Sequence, residues 1–90
     1  MLNKVINIEP LGGFRLRLHF KDGAVGEHDF ADPMLRSGPM IEPLRDPVFF
    51  VRVRLDEGAP TWPNGYDMCP DALRMMMEGA GELRVPAAAK

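Results

Sequence analysis

The chain has a single cysteine among its 90 residues, which excludes any intramolecular disulfide. With two histidines beside it, a structural zinc site of four thiolate or imidazole ligands cannot be assembled either. No apolar run approaches the roughly 18 residues of a membrane span. There is little excess charge: the net value of −2 supplies no field that would draw the whole molecule to nucleic acid or anionic lipid. The opening MLNKVINIEPL lacks a basic segment followed by an apolar stretch and a small-residue cleavage site, so a cytoplasmic protein is expected. What is present, 46% apolar and 27% charged residues, is the balance of a globular domain and excludes a disordered or collagen-like chain.

Alternation is clearest from Phe14 to Phe20, where Phe14, Leu16, Leu18 and Phe20 share one side and Arg15, Arg17 and His19 the other. Lys21-Asp22-Gly23 then interrupts the pattern before Val25 to Phe30, which predicts a hairpin. Charge fixes its register. A two-residue turn would set Glu27 opposite Leu18 and Asp29 opposite Leu16, burying two carboxylates at prohibitive cost. A three-residue loop with Gly23 in the left-handed conformation instead pairs Phe14 with Phe30, Leu16 with His28, Arg17 with Glu27 and Arg15 with Asp29. A first strand at Lys4 to Glu9, followed by Leu11-Gly12-Gly13, completes a three-stranded antiparallel meander.

Asp32-Pro33 and Asp46-Pro47 each read as an N-cap carboxylate followed by proline at the first helical position, and so as short helical turns, the first stopped by Ser37-Gly38-Pro39. After Phe49 the alternation returns, with Val51, Val53 and Leu55 against Arg52, Arg54 and Asp56. A four-residue turn through Glu57-Gly58 sets Trp62 beside Val53, facing inward. Trp62 ends that strand, Pro63 and Asn64 suit the central positions of a type I turn, and Gly65 takes the positive-φ position after it. Pro70 opens a C-terminal helix whose first turn carries Asp71. Leu73, Met76, Met77 and Ala80 form its apolar stripe, which Gly79 or Gly81 ends. The expected architecture is a two-layer α+β domain over residues 1–80: a meander, a second short hairpin, short helical turns and one C-terminal helix. Residues 81–90 are expected to be a flexible tail.

The pattern Leu16, Phe20, Asp22-Gly23, Asp29-Phe30, Leu44, Asp46, Phe50, then Trp62-Pro63-Asn64-Gly65, Asp67, Pro70 and Leu73 resembles the small bacterial domain of unknown function 2442, from about Lys4 to Glu78. The resemblance implies a compact two-layer α+β domain and brings no established activity. It also implies a possible setting, since some relatives are encoded beside small proteins with suspected toxin-antitoxin roles. Others carry a C-terminal helix-turn-helix domain, for which Gly81 to Lys90 is too short.

A catalytic reading selects His28, Tyr66, Asp67 and Cys69, the thiol standing at a helix N-terminus. A nucleophile needs a base within hydrogen-bond reach, and no second motif supplies one, so no catalytic residue is assigned. Trp62, Pro63, Asn64, Gly65, Asp67 and Pro70 are read as a structural signature, with Asp67 accepting backbone N–H groups near the turn and helix start. His19 and His28 fall on opposite faces of their sheet, so no metal and no cofactor is expected. Arg15, Arg17, Arg52 and Arg54 could share the wet side of one sheet. Glu27 and Asp29 are expected to offset the first two, and too few aromatics surround Arg52 and Arg54 for base stacking, so nucleic acid is disfavoured. Met75, off the helical stripe, and the strand edges of a short meander point to contact with a protein partner or a second copy. The expected function is a non-enzymatic interaction or accessory module. The alternatives are an enzyme or ligand site at the Trp62 to Cys69 corner, or a weak nucleic-acid surface at Arg52 and Arg54.

Overall fold

A computed structural model describes residues 3–31 and 38–85. The turn expected at Asp32-Pro33, with its stop at Ser37, lies outside the described residues. The described chain forms β1 (Val5–Gly12), β2 (Arg15–Phe20), β3 (Val25–Asp29), a 3-10 turn (Glu42–Arg45), α1 (Pro47–Phe50), β4 (Arg54–Asp56), β5 (Ala59–Thr61), α2 (Pro70–Gly79) and β6 (Leu83–Arg84). One antiparallel sheet has the order β1-β2-β3-β6, and β4 and β5 make a separate hairpin. This is the α+β arrangement expected: Leu73 and Met77 of α2 share one core with Leu16, Leu18 and Phe20 of the sheet, and the second hairpin meets β1, where Val5 N–H donates to the Gly58 carbonyl at 3.0 Å.

The central hairpin has the register that charge demands. Arg15 faces Asp29, Leu16 faces His28 and Arg17 faces Glu27. The Phe14 carbonyl accepts from Phe30 N–H at 2.8 Å. The loop is three residues long, closed by Phe20 N–H on the Ala24 carbonyl, with Gly23 at φ +95°. Leu16, Leu18 and Phe20 are buried while Arg15, Arg17 and His19 lie on the open face. One detail differs. Arg15 reaches diagonally to Glu27, at 3.5 Å, because the Asp29 carboxylate accepts from the backbone N–H of Ala31 at 2.9 Å. β1 also runs to Gly12, beyond the expected end at Glu9, through two register shifts, and tolerates Pro10 because an edge strand need not donate on its open side.

Asp46 caps α1 by accepting from Val48 N–H at 3.0 Å, with Pro47 next, as expected. Val51 and Arg52 were expected on a strand and instead finish that helical turn, their N–H groups bonded to the carbonyls of Pro47 and Phe49. The strand starts only at Arg54, and Val51 is exposed. The Glu57-Gly58 turn is a two-residue loop with φ of +51° and +86°, the handedness that suits strand twist. Pairing of Arg54 with Thr61 carries Trp62 to the position beside Val53.

Residues 81–85, expected to belong to a flexible tail, take regular structure instead, and the remainder of that segment lies outside the described residues. Gly81, at φ +70°, donates to the Glu78 carbonyl, and Glu82 donates to that of Met77, a Schellman closure of α2. Leu83 and Arg84 then pair with Gly26 and Val25 as β6. Gly26 permits this: a Cβ there would stand 2.6 Å from the Glu82 carbonyl oxygen, 2.8 Å from Leu83 Cδ2 and 2.9 Å from Met77 Cε. The core between the layers comprises Val5, Leu16, Leu18, Phe20, Ala24, Phe30, Leu44, Phe50, Trp62, Leu73 and Met77.

Candidate functional site

Trp62 is fully buried, and its indole N–H donates to the Phe50 carbonyl at 2.8 Å, which satisfies the polar edge of a large apolar ring. The ring lies in an aromatic series running from Phe14 through Phe50 and Trp62 to Tyr66, with centroid spacings of 5.2, 5.6 and 5.8 Å. Pro63, Asn64 and Gly65 form the loop after it. Gly65, at φ +90°, donates to the Trp62 carbonyl at 2.9 Å, and Trp62 N–H donates to the Tyr66 carbonyl at 2.8 Å. The Asn64 side chain works in both directions, its oxygen accepting from Tyr66 N–H and its amide donating to the Met40 carbonyl, 24 residues away. Pro70 is buried at the start of α2, and Cys69 is the N-cap without a side-chain cap bond. These residues tie β5, α1, the segment around Met40 and α2 to one corner.

Asp67 behaves otherwise than expected. Its backbone bridges Thr61, but its exposed carboxylate takes no hydrogen bond or ion pair from a described residue. Asp71 in the first turn of α2 accepts from the Asn3 side chain at 3.0 Å.

The stripe of α2 is also narrower than the one expected. Pro70, Leu73 and Met77 are its buried residues, whereas Met76 is 38% exposed and Ala80 is exposed. The edge of the stripe is taken by Arg74, which lies 5.1 Å over the Phe20 ring and donates two bonds to Asp22, at 3.0 and 2.9 Å, and one to Glu78. That rotates Met76 outward on the other side. Met75 is 72% exposed.

Between the start of α2 and the strand leading to it lies an open cleft of about 340 Å³. Phe30 and Leu73 form its buried floor, Tyr66 and Met68 one wall, and Ala72 and Met76 the other. Asp67 and Cys69 stand on its rim, both exposed. Three of the four residues of the catalytic reading thus meet at one concavity. The fourth does not: His28 is bonded to Glu82 at 2.8 Å and packs edge-on against Phe30 at 4.6 Å, without lining the cleft.

The arginines do not share one sheet face. Arg15 and Arg17 belong to β2, Arg54 to the separate hairpin, and Arg52 to the turn after α1, stacked 5.9 Å over Phe49. On the open face of the large sheet, Arg17 donates to Glu27 at 2.9 and 3.0 Å and to Glu9 at 3.4 Å. His19, on the same open face, is bonded to Glu9. Arg17 holds the Glu27 carboxyl below its ordinary value, and the His19 bond, followed by Arg17, does the same for Glu9. On the opposite side, the bonds from Arg74, then that from Ala24 N–H, hold Asp22 low. Arg17 and Arg74 are raised correspondingly, first by bonds to Glu27 and Asp22. The i,i+4 spacing of Arg74 and Glu78 was visible in the sequence; the long-range link to Asp22 and the cleft had no local signal. Among the described residues, no helix is long and apolar enough to cross a membrane.

Searches of curated proteins and of solved structures return no match. A family model described as "Protein of unknown function (DUF2442)" matches residues 5–76, which spans every element from β1 to most of α2. The chain belongs to the DUF2442 family of proteins of unknown function.

Proposed function

We propose that this protein is a non-enzymatic interaction module whose working surface is the outward flank of α2 with the cleft beside it. The observation that carries the reading is the distribution of side chains around that helix. Its three charged residues, Asp71, Arg74 and Glu78, occupy one flank and are bonded to Asn3, to Asp22 and to one another. The opposite flank, at spacings of three and four residues, presents Ala72, Met75, Met76 and Gly79, all exposed and none able to ionise. A helix normally turns its charged side to water. An apolar solvent-facing arc rich in methionine suits a partner that repacks it, since thioether side chains adapt to different contours.

The setting that the family resemblance implies, some relatives being encoded beside small proteins with suspected toxin-antitoxin roles, favours a protein partner and an accessory role of that type. Capture of partners from the source cells with three versions of the tagged full chain tests the reading. A protein retained by the wild type and by Asp56→Asn, but lost with Met75→Lys, supports it. Retention by all three contradicts it. One observation favours a second reading, a small-molecule site: Tyr66, Asp67 and Cys69 line the same cleft. Thermal shift against a metabolite library distinguishes the two, because a small ligand at the cleft raises the melting temperature of the wild type and not of an Ala72→Arg variant.

A further inference from the structure

We propose that the cleft takes a short amphipathic segment of a partner protein whose apolar anchors adjoin a lysine or arginine, and that this cation pairs with Asp67. The inference rests on the interaction-module reading and names the chemistry of the partner.

Size selects the kind of occupant. A stable complex between two folded surfaces removes about 800 Å² from each. The ten residues of α2 extend only about 15 Å, too little to supply such an area with one flank. A concavity of about 340 Å³ is at the small end of ligand sites and matches a few apolar side chains from one segment, the mode in which a helix lays spaced anchors into a groove. The buried floor of Phe30 and Leu73 and the adaptable walls of Met68 and Met76 offer those anchors an apolar seat.

Charge selects its flank. Asp67 is the one charged group among the described residues that line the cleft, and it has no partner among the described residues. The cation on the adjacent helix is committed elsewhere, Arg74 being held by Asp22 and Glu78 on the far flank. An acidic segment entering the cleft would meet uncompensated like charge at its rim, and a neutral one would leave the carboxylate to lose part of its hydration without return. A basic residue beside the apolar anchors gains an ion pair that docking partly shields from water.

The experiment is a fluorescence-anisotropy titration of the full chain, at physiological salt, with three labelled peptides of 12 residues. One is an amphipathic leucine-lysine sequence, one has glutamate for every lysine, and one has serine for every leucine. The leucine-lysine peptide is expected to bind and the serine peptide to fail. Asp67→Asn is expected to weaken binding about threefold to tenfold, and Ala72→Arg to abolish it. Asp56→Asn, which removes an equal charge at the tip of the β4–β5 hairpin, is expected to leave affinity unchanged. Unchanged Trp62 emission confirms that each variant is folded. Equal binding of the leucine-glutamate peptide, or equal effects of Asp67→Asn and Asp56→Asn, overturns the cationic partner while the interaction reading stands. Indifference of leucine-lysine binding to Ala72→Arg, or no binding of any peptide, overturns both.

Discussion

Replacing Gly26 by alanine tests how α2 is held on the sheet. The new methyl would meet the Glu82 carbonyl oxygen at 2.6 Å, Leu83 Cδ2 at 2.8 Å and Met77 Cε at 2.9 Å. The first is backbone in the closure of α2 and cannot rotate away; Met77 is fully buried and has little room to move. Overpacking of this kind costs about 1 to 3 kcal/mol. Against it stands the loss of unfolded-chain entropy on changing glycine to alanine, which favours the variant by about 0.4 to 1 kcal/mol. The net expectation is a loss of about 1 to 2 kcal/mol, or a melting point lower by about 4 to 16 °C for a chain of this size. Urea unfolding followed by the emission of the single tryptophan reads this directly. Removing the Leu83 contact as well should relieve part of the strain, so Gly26→Ala with Leu83→Ala is expected to lose about 0.5 kcal/mol less than the sum of the two. A midpoint unchanged or raised in Gly26→Ala, as the entropy alone would give, refutes the close-approach argument.

Trp62→Phe removes the indole donor, leaves the Phe50 carbonyl with only its longer bond from Val53 N–H at 3.3 Å, and opens a cavity; a loss of about 1 to 3 kcal/mol in chemical denaturation is expected, and a loss below about 0.5 kcal/mol counts against the anchoring role. Glu9, Asp22 and Glu27 have carboxyl groups lowered in the folded state, so they bind protons more readily when unfolded, and their contribution is present above pH 4.5. It is lost as pH falls through 4.5 and 3.8 toward the lowered values, and a thermal midpoint that stays flat between pH 6 and 3 contradicts these pairings. Cys69, exposed and without a side-chain cap bond, should be alkylated in the folded protein at about the rate of an unstructured peptide. Labelling more than about tenfold faster would point to an activated nucleophile and to the enzymatic alternative.

The parts of the fold visible in the sequence are those in which one arrangement is far costlier than its neighbour. Glu27 and Asp29 would have been buried by a one-residue slip to a two-residue turn, so the β2–β3 pairing could be chosen over that alternative from charge. Asp46-Pro47 and Trp62-Pro63-Asn64-Gly65 each combine residues whose backbone preferences and hydrogen-bonding groups agree. β6 was hidden because two residues make no period, and its place depends on what Gly26 lacks. Met76 was assigned to the core because the 3.6-residue repeat does not say which edge of a stripe a neighbour will occupy; Arg74 settled that by stacking on Phe20, a contact 54 residues away in the chain. Val51 alternates like a strand residue, but the cap at Asp46 carries the helical turn through it. Of the candidate site, Tyr66, Asp67 and Cys69 were recognised as residues that could do chemistry. Their convergence with Met68, Ala72 and Met76 on a cleft arises only when α2 folds back beside the strand that precedes it.

The most direct test of the interaction surface uses methyl resonances of the methionines in the full chain, labelled with ¹³C, during titration with the leucine-lysine peptide. Met68 and Met76 line the cleft and Met75 stands on the same flank, while Met40 is exposed near the Asn64 amide. Saturable shifts of Met68, Met75 and Met76 with Met40 unmoved are the expected result. A peptide that binds with equal affinity while shifting Met40 and leaving Met68 and Met76 in place would contradict the assignment of α2 and its cleft as the working surface.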